Sequence, residues 1–389
     1  MRTKAPVPCL LLAVFAIHGT LTGCAAEDES SNDTGESSED PNSHHSQSSS
    51  DGGDSESGDA ESSDIDEEGG LSDGGGGAAN ATSLARTVPL FVAVGWGGRR
   101  VASCDGGRSW PFDVQVADEG EDDWHQAYTP KGLSAGAGSV IFLTGWGTDS
   151  QLHVTRNGAD WETIETGSAY GGIGFDGESH VLLGNRDVAA SPDGGQTWSP
   201  VDVETPQSDR ETAVFDGVWA AAADGHVQVR TDTEWSTMSS CAESNHQPGI
   251  GHAGGFATGN DVLLSIAESG HICRYDLAEN QELSPSDLGA ALEGKPLFVD
   301  NQFVVATGDA LRFSHNGASW ESAPLAEGVR FDHIARSEER LWVGVAGNGD
   351  DFFYSEDGEN WFEAEASSGN GITRLTVGRI APTLECPLF

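Results

Sequence analysis

Two tryptophans, Trp96 and Trp146, stand in identical Gly-Trp-Gly settings. Aromatic faces beside a few charged or hydrogen-bonding side chains suit recognition of a sugar or a peptide. Arg186, His226 and His271 are the polar candidates to join them. The plainer role for the two tryptophans is to cover loop backbone. Catalytic chemistry is harder to place. Residues 86–389 hold 46 acids against 17 bases, so spacing alone does not single out a carboxylate pair for glycoside hydrolysis. The four tyrosines, Tyr128, Tyr170, Tyr275 and Tyr354, lie in no recognisable nucleophile context. His226, His246, His252 and His271 could hold a metal, but surface histidine is the simpler reading. No zinc-ligand spacing, Ser-His-Asp signature or phosphate loop is present in the sequence. Catalytic, metal and cofactor-binding residues are therefore all assigned as none.

The elements that would position these residues come from internal repetition. A short motif recurs at Ser103–Trp110, Thr155–Trp161, Ser191–Trp198, Ser314–Trp320 and Ser355–Trp361, with a decayed copy at Val229–Trp235. The five tryptophans of the full copies and Trp235 are 51, 37, 37, 85 and 41 residues apart. The gap of 85 is two steps, so one copy has lost its motif around Cys273 to Asn280. Apolar runs precede the copies, beginning at Leu90, Ser139, His180, Val218, Val262, Phe303 and Leu341. Seven runs in 304 residues give about 43 residues per unit, the size of a four-stranded propeller blade.

The motif resembles the Asp-box, or BNR repeat, of sialidases, sortilin-type receptors and photosystem assembly factors. Ser-Pro-Asp193-Gly-Gly195-Gln-Thr-Trp198 carries it most fully. Two copies have the eight-residue spacing of that family and three are one residue shorter. The resemblance implies an all-β propeller over 86–389. Each box would cap the hairpin between third and fourth strands, with its tryptophan in the core. The first blade lacks an inner strand before Leu90, and the C-terminal run at 371–380 follows the last box. The expectation is seven four-stranded blades, with the C-terminal strand completing the first. In such a ring the loops between second and third strands surround one mouth of the channel. Those loops hold Trp96, Trp146, Arg186, His226, His271 and Asp309. Loops before inner strands add Trp124, Tyr170, Arg210, His252 and Arg330.

Four cysteines, 104, 241, 273 and 386, allow three pairings. Cys104 lies at the first box and Cys386 beyond the closing strand, so Cys104–Cys386 would lock the ring. Cys241–Cys273 is then the second expected bond. Sialidase-like catalysis would call for three arginines, a Tyr–Glu pair and an Asp acid/base. Arg379-Ile-Ala-Pro382 echoes the Arg-Ile-Pro sequence of that group, with an extra alanine and after the last box.

The N-terminus reads as an address. Arg2 and Lys4 precede an apolar run from Cys9 to Ile17, too short to span a bilayer. Leu21-Thr22-Gly23-Cys24 then resembles the lipobox of bacterial lipoproteins. That resemblance implies cleavage after residue 23, lipid on Cys24, and attachment to a membrane; in a Gram-negative host Ala25, in place of Asp, favours the outer membrane over inner-membrane retention, and the expected location is the outer membrane or cell surface. Residues 24–85 form an acidic Ser/Gly-rich segment. Within it, 27–85 carries seventeen acids and no base, a composition that predicts disorder. As a flexible coil these 59 residues would span about 40–45 Å. The net charge of −44 argues against nucleic acid as a partner. The combined expectation is a monomeric, lipid-anchored recognition or assembly module that binds a glycan or protein ligand at the propeller face. The alternative is a glycoside hydrolase of sialidase-like type.

Overall fold

Strands buried on both faces read as continuous apolar runs rather than alternating ones. The run Ser139–Thr144 is such a strand, buried at every position. In the computed structural model all seven apolar runs form the second strand of a four-stranded antiparallel sheet. The structure describes residues 86–387, apart from 117–129, 146–149, 185, 206–210, 216, 224–225, 232–233, 240–254, 293, 309 and 347–350. The signal and tether expectations lie outside the described residues, as do Cys24, Trp146 and Cys241.

Seven sheets form a closed ring, the blades of an all-β propeller. The innermost strands of blades 2 to 7 are Gly132–Gly136, Gly172–Phe175, Glu211–Phe215, Gly255–Gly259, Leu297–Val299 and His333–Arg336. Blade 1 is closed as expected. Its inner strand is the C-terminal Ile372–Ile380, which pairs antiparallel with Val88–Gly95 from Val88↔Ile380 to Gly95↔Ile372.

The core lies in the seams between blades. Alternate residues of one strand serve two seams. Leu90, Val92 and Val94 pack with Val140 and Phe142 of blade 2, whereas Phe91 and Ala93 pack with Val343, Val345 and Phe352 of blade 7. Similar clusters fill the remaining seams. Outer strands have one neighbour and little cover, so Glu321–Pro324 is exposed throughout.

The repeated motif builds the turn between third and fourth strands. In the third blade Ser191 Oγ donates to Asp193 Oδ1 (2.8 Å) and accepts from Gly195 N (2.8 Å). Asp193 also accepts from Thr197 N (2.9 Å) and Thr197 Oγ1 (2.6 Å). The two spacings differ by one left-handed glycine. In the long copies Gly106 and Gly107, or Gly194 and Gly195, both have positive φ, and the short copies have one such residue. Blade 5 has lost the Ser, Gly and Trp, yet Asp276 Oδ1 still accepts from Ala278 N (3.0 Å) and Glu279 N (2.9 Å). The Asp or Asn side-chain oxygen is the part of the motif shared by all these turns: Asn157 Oδ1 and Asn316 Oδ1 accept from turn amides in the same way.

The expectation for the motif tryptophans needs correction. Trp110 is 3% exposed, but Trp161, Trp198, Trp320 and Trp361 are half-buried, packed against the rims of their seams. They sit beside the thin fourth strand, where one side of the indole meets solvent.

Cys104 and Cys386 are disulfide-bonded across 282 residues, with Cα atoms 5.4 Å apart. Cys273 is also disulfide-bonded; its expected partner, Cys241, lies outside the described residues.

Candidate functional site

Strand alternation fixes which groups share a face. Every inner strand runs from one mouth of the channel to the other, so loops leading into inner strands and loops from second to third strands lie at the entry end. The motif turns lie at the exit end. Trp96, Arg186 and His271 are accordingly on the entry face, on blades 1, 3 and 5. His226 opens the third strand of blade 4, His226–Arg230.

Trp96 is half-buried and starts the turn Trp96–Gly98, in which Gly97 has φ 64°. Its backbone N–H donates to Gly371 O (2.9 Å). A Cβ on Gly95 would stand 2.1 Å from that same oxygen, so the first glycine of this Gly-Trp-Gly allows close approach to the segment entering the closing strand. Arg186 is exposed and His271 half-buried. None of the three lines the channel cavities described next.

Two cavities, of about 310 and 430 Å³, occupy the channel and share Leu133, Phe215, Lys295, Leu375 and Thr376. The walls are largely apolar, with Leu133, Phe175, Phe215, Phe256 and Leu375 around the first. That cavity also carries Lys131, Lys295 and Arg374, and no carboxylate among its described lining residues. The chain has three lysines, Lys4, Lys131 and Lys295. Both that fall in the propeller are here, each one or two residues before an inner strand. Arg374 Nη2 donates to Lys131 O (2.9 Å), and Lys131 Nζ to Tyr170 O (3.4 Å). Burial lowers the Lys131 amine below the usual lysine range. At the exit end, Arg336 pairs with Asp300 (2.5 Å).

Sequence reasoning missed these three cations because each is isolated in sequence. The available signal was the scarcity of lysine and its position just ahead of two inner strands.

Other groups weighed for catalysis hold structural places. Tyr170 is buried, and burial followed by the charge of Asp187 raises its pKa. Tyr275 Oη donates to Asn280 Oδ1 (2.9 Å). Tyr354 lies under Arg108, 5.3 Å from ring centre to guanidinium. Arg379 ties blade 1 to blade 7 through Thr87 Oγ1 (2.7 Å), Glu338 (3.2 Å) and Glu339. Tyr128, Trp124, Arg210, His246, His252 and Asp309 lie outside the described residues. Among the described residues no three His, Cys, Asp or Glu side chains cluster as a metal site.

The fold and its mouth define a β-propeller with an apolar, cation-rimmed channel. No protein-family model matches the chain, and no curated protein matches its sequence. Solved structures do match in fold. YCF48 bound to a D1 peptide is 16% identical, at TM-score 0.43, over 61% of this chain and 81% of that one. YCF48 from Cyanidioschyzon merolae is 14% identical, at 0.45, over 62% and 87%. Apo AztD from Citrobacter koseri is 8% identical, at 0.49, over 77% and 99%. At these identities the likeness is one of fold.

Proposed function

We propose that this chain is a non-catalytic recognition or assembly module, an Asp-box propeller held at a bacterial cell envelope through lipid on Cys24. Its ligand, a glycan or a protein, binds at the entry face. The observation that carries this reading is the make-up of the channel mouth, where apolar walls and three cations surround a cavity of about 310 Å³. Such a lining can grip a ligand. Hydrolysis of a glycoside would draw on two convergent carboxylates, whereas the motif carboxylates hold turn amides on the opposite face.

The test is a glycan and peptide array probed with the full chain, beside a panel of fluorogenic glycosides. The expected result is saturable array binding without turnover. Turnover that disappears when one acid of the entry face is replaced would overturn the proposal. Array binding that survives Trp96→Ala combined with Trp146→Ala would remove those two residues from the site while leaving recognition in place.

A further inference from the structure

The seam between blades 2 and 3 carries a titratable group against the channel wall. His180 belongs to blade 3 and is wholly buried, yet its ring hydrogen bonds go to blade 2. Nε2 lies 3.0 Å from Gly136 O and 3.1 Å from Ser139 Oγ, and Nδ1 lies 2.8 Å from Ser134 Oγ. A carbonyl only accepts, so Nε2 carries the hydrogen and Nδ1 accepts from Ser134. These contacts hold the turn Ala137-Gly138, left-handed at φ 46° and 75°, between strands Gly132–Gly136 and Ser139–Thr144. Phe175 of blade 3 lies against the same turn. Its ring is 5.2 Å from that of His180, and a Cβ on Gly136 would stand 2.4 Å from it. The two inner strands joined here also wall the cavity of about 310 Å³, through Leu133 and Ala135 of blade 2 and Ile173 and Phe175 of blade 3.

One charge acts on the ring. Asp176, at the turn before His180, favours the protonated form, but its Oδ1 already accepts from Glu178 N (3.0 Å) and Ser179 N (2.7 Å). Glu178 is exposed in that turn. Arg156 of blade 2 and Asp193 of blade 3 lie over the rim of the seam, engaged with Gly194 O (3.0 Å) and the Thr197 hydroxyl (2.6 Å). Blade 2 itself meets the ring with two hydroxyls and a carbonyl.

We infer that His180 is an acid-operated latch: its protonation frees the Gly136–Ser139 turn of blade 2 from blade 3 and so loosens one wall of the channel. This names a regulation of the recognition site and rests on that reading. A proton enters at Nδ1, the ring nitrogen without a hydrogen, and turns that atom from acceptor to donor. Ser134 Oγ then has to accept, and its own hydrogen has no other acceptor among the described residues. Burial disfavours the imidazolium as well and outweighs the attraction of Asp176, holding the closed ring at about 4. With the seam open the ring titrates near 6.5. Protons therefore favour the open form, whose population rises roughly tenfold per unit as pH falls from about 6.5 towards 4.

The experiment follows hydrogen exchange of the unlipidated full chain between pH 7 and about pH 4.5, corrected for the intrinsic rate, beside NMR of labelled imidazoles. Residues 134–141 and 172–181 should lose protection about tenfold per pH unit below 6.5, while 262–276 of blade 5 and 303–314 of blade 6 keep theirs. His180→Gln, which takes up no proton, should hold blades 2 and 3 constant across the range. His153→Gln, altered in the other seam of blade 2, should leave the loss in place. Protection lost evenly around the ring, an imidazole of His180 already doubly protonated in the closed form at pH 6, or a loss that vanishes in His153→Gln would each overturn the inference. Arrays of glycans and peptides read at pH 7 and about pH 4.5 should lose signal at least threefold more with the wild type than with His180→Gln; equal losses would also overturn it. Array binding with pH-independent exchange would sink the latch alone. The expected exchange pattern without any array binding would sink the recognition reading and leave the latch standing.

Discussion

At the scale of single residues, two buried histidines set a pH limit. His180 is wholly buried between blades 2 and 3. Its Nε2–H reaches Gly136 O (3.0 Å), and its Nδ1 accepts from Ser134 Oγ (2.8 Å). His153 lies stacked on Phe142, with Thr144 and Thr163 hydroxyls at 3.1 and 3.0 Å. Burial holds both near a pKa of about 4. The unfolded imidazoles, with pKa about 6.5, bind protons first, so stability is lost as pH falls from about 6.5 towards 4, by up to roughly 3 kcal/mol for each ring. Urea midpoints measured across that window should fall steadily, and His180→Gln should flatten the slope. Below that window the motif carboxylates take over. Hydrogen bonds from Thr197 and Asn360 hold Asp193 and Asp357 well below the usual carboxylate range, and their contribution is lost as they protonate.

Glycine gives a second residue-scale prediction. Gly138 and Gly195 both have positive φ, 75° and 85°. A Cβ on Gly138 meets nothing within 4 Å, whereas one on Gly195 stands 2.6 Å from Ile141 Cδ1 of the preceding blade. Gly138→Ala should cost about 1 kcal/mol of backbone strain. Gly195→Ala adds overpacking of a seam and should cost about 1–3 kcal/mol more. Denaturant midpoints of the two variants decide the order.

At the scale of elements, the closing strand carries the ring. Three devices hold it: its ladder with Val88–Gly95, the Cys104–Cys386 bond beyond its end, and Arg99 before its start. Arg99 is completely buried, pairs with Asp113 (3.1 Å) and donates to Ser367 O (2.6 Å) and Asn370 O (2.8 Å). The disulfide closes a loop of 282 residues, for which chain entropy gives an upper value of about 5 kcal/mol. Cys386→Ser should therefore lower the unfolding midpoint sharply while leaving the far-ultraviolet spectrum native at low temperature. Arg99→Met removes the charge and its fork of hydrogen bonds from a buried site, leaves Asp113 with the Ser367 hydroxyl alone, and should cost about 3 kcal/mol. Hydrogen exchange in the variant should rise first at 367–374, the entry to the closing strand.

At the scale of the whole molecule, net charge bears on the proposed anchor. The −29 of residues 86–389 and the −17 of residues 27–85 favour long-range repulsion from anionic surfaces. Lipid on Cys24 would hold against that repulsion, since several acyl chains give durable anchoring where one is marginal. Cys24→Ala should release the chain from membranes or block its maturation, read by fractionation. Unchanged membrane association would refute the anchor.

Periodicity was enough to read the ring from the chain itself. The motif turns recur because the blades share a left-handed tip and an Asp or Asn side-chain oxygen that caps it. The apolar runs recur because every second strand is buried on both faces. Even the closing strand and its cysteine were legible, since a blade without an inner strand and a strand without a blade must meet. These are local or repeating constraints, and sequence records them directly. The channel mouth was not legible in that way. Lys131, Lys295 and Arg374 come from blades 2, 6 and 1, and no spacing along the chain encodes their convergence. The burial of Arg99 and of the two histidines was equally silent, because an isolated charged or polar residue reads as surface until a seam closes over it. Closure of the ring decides which distant residues share a cavity and a dielectric, and so the site belongs to the tertiary structure.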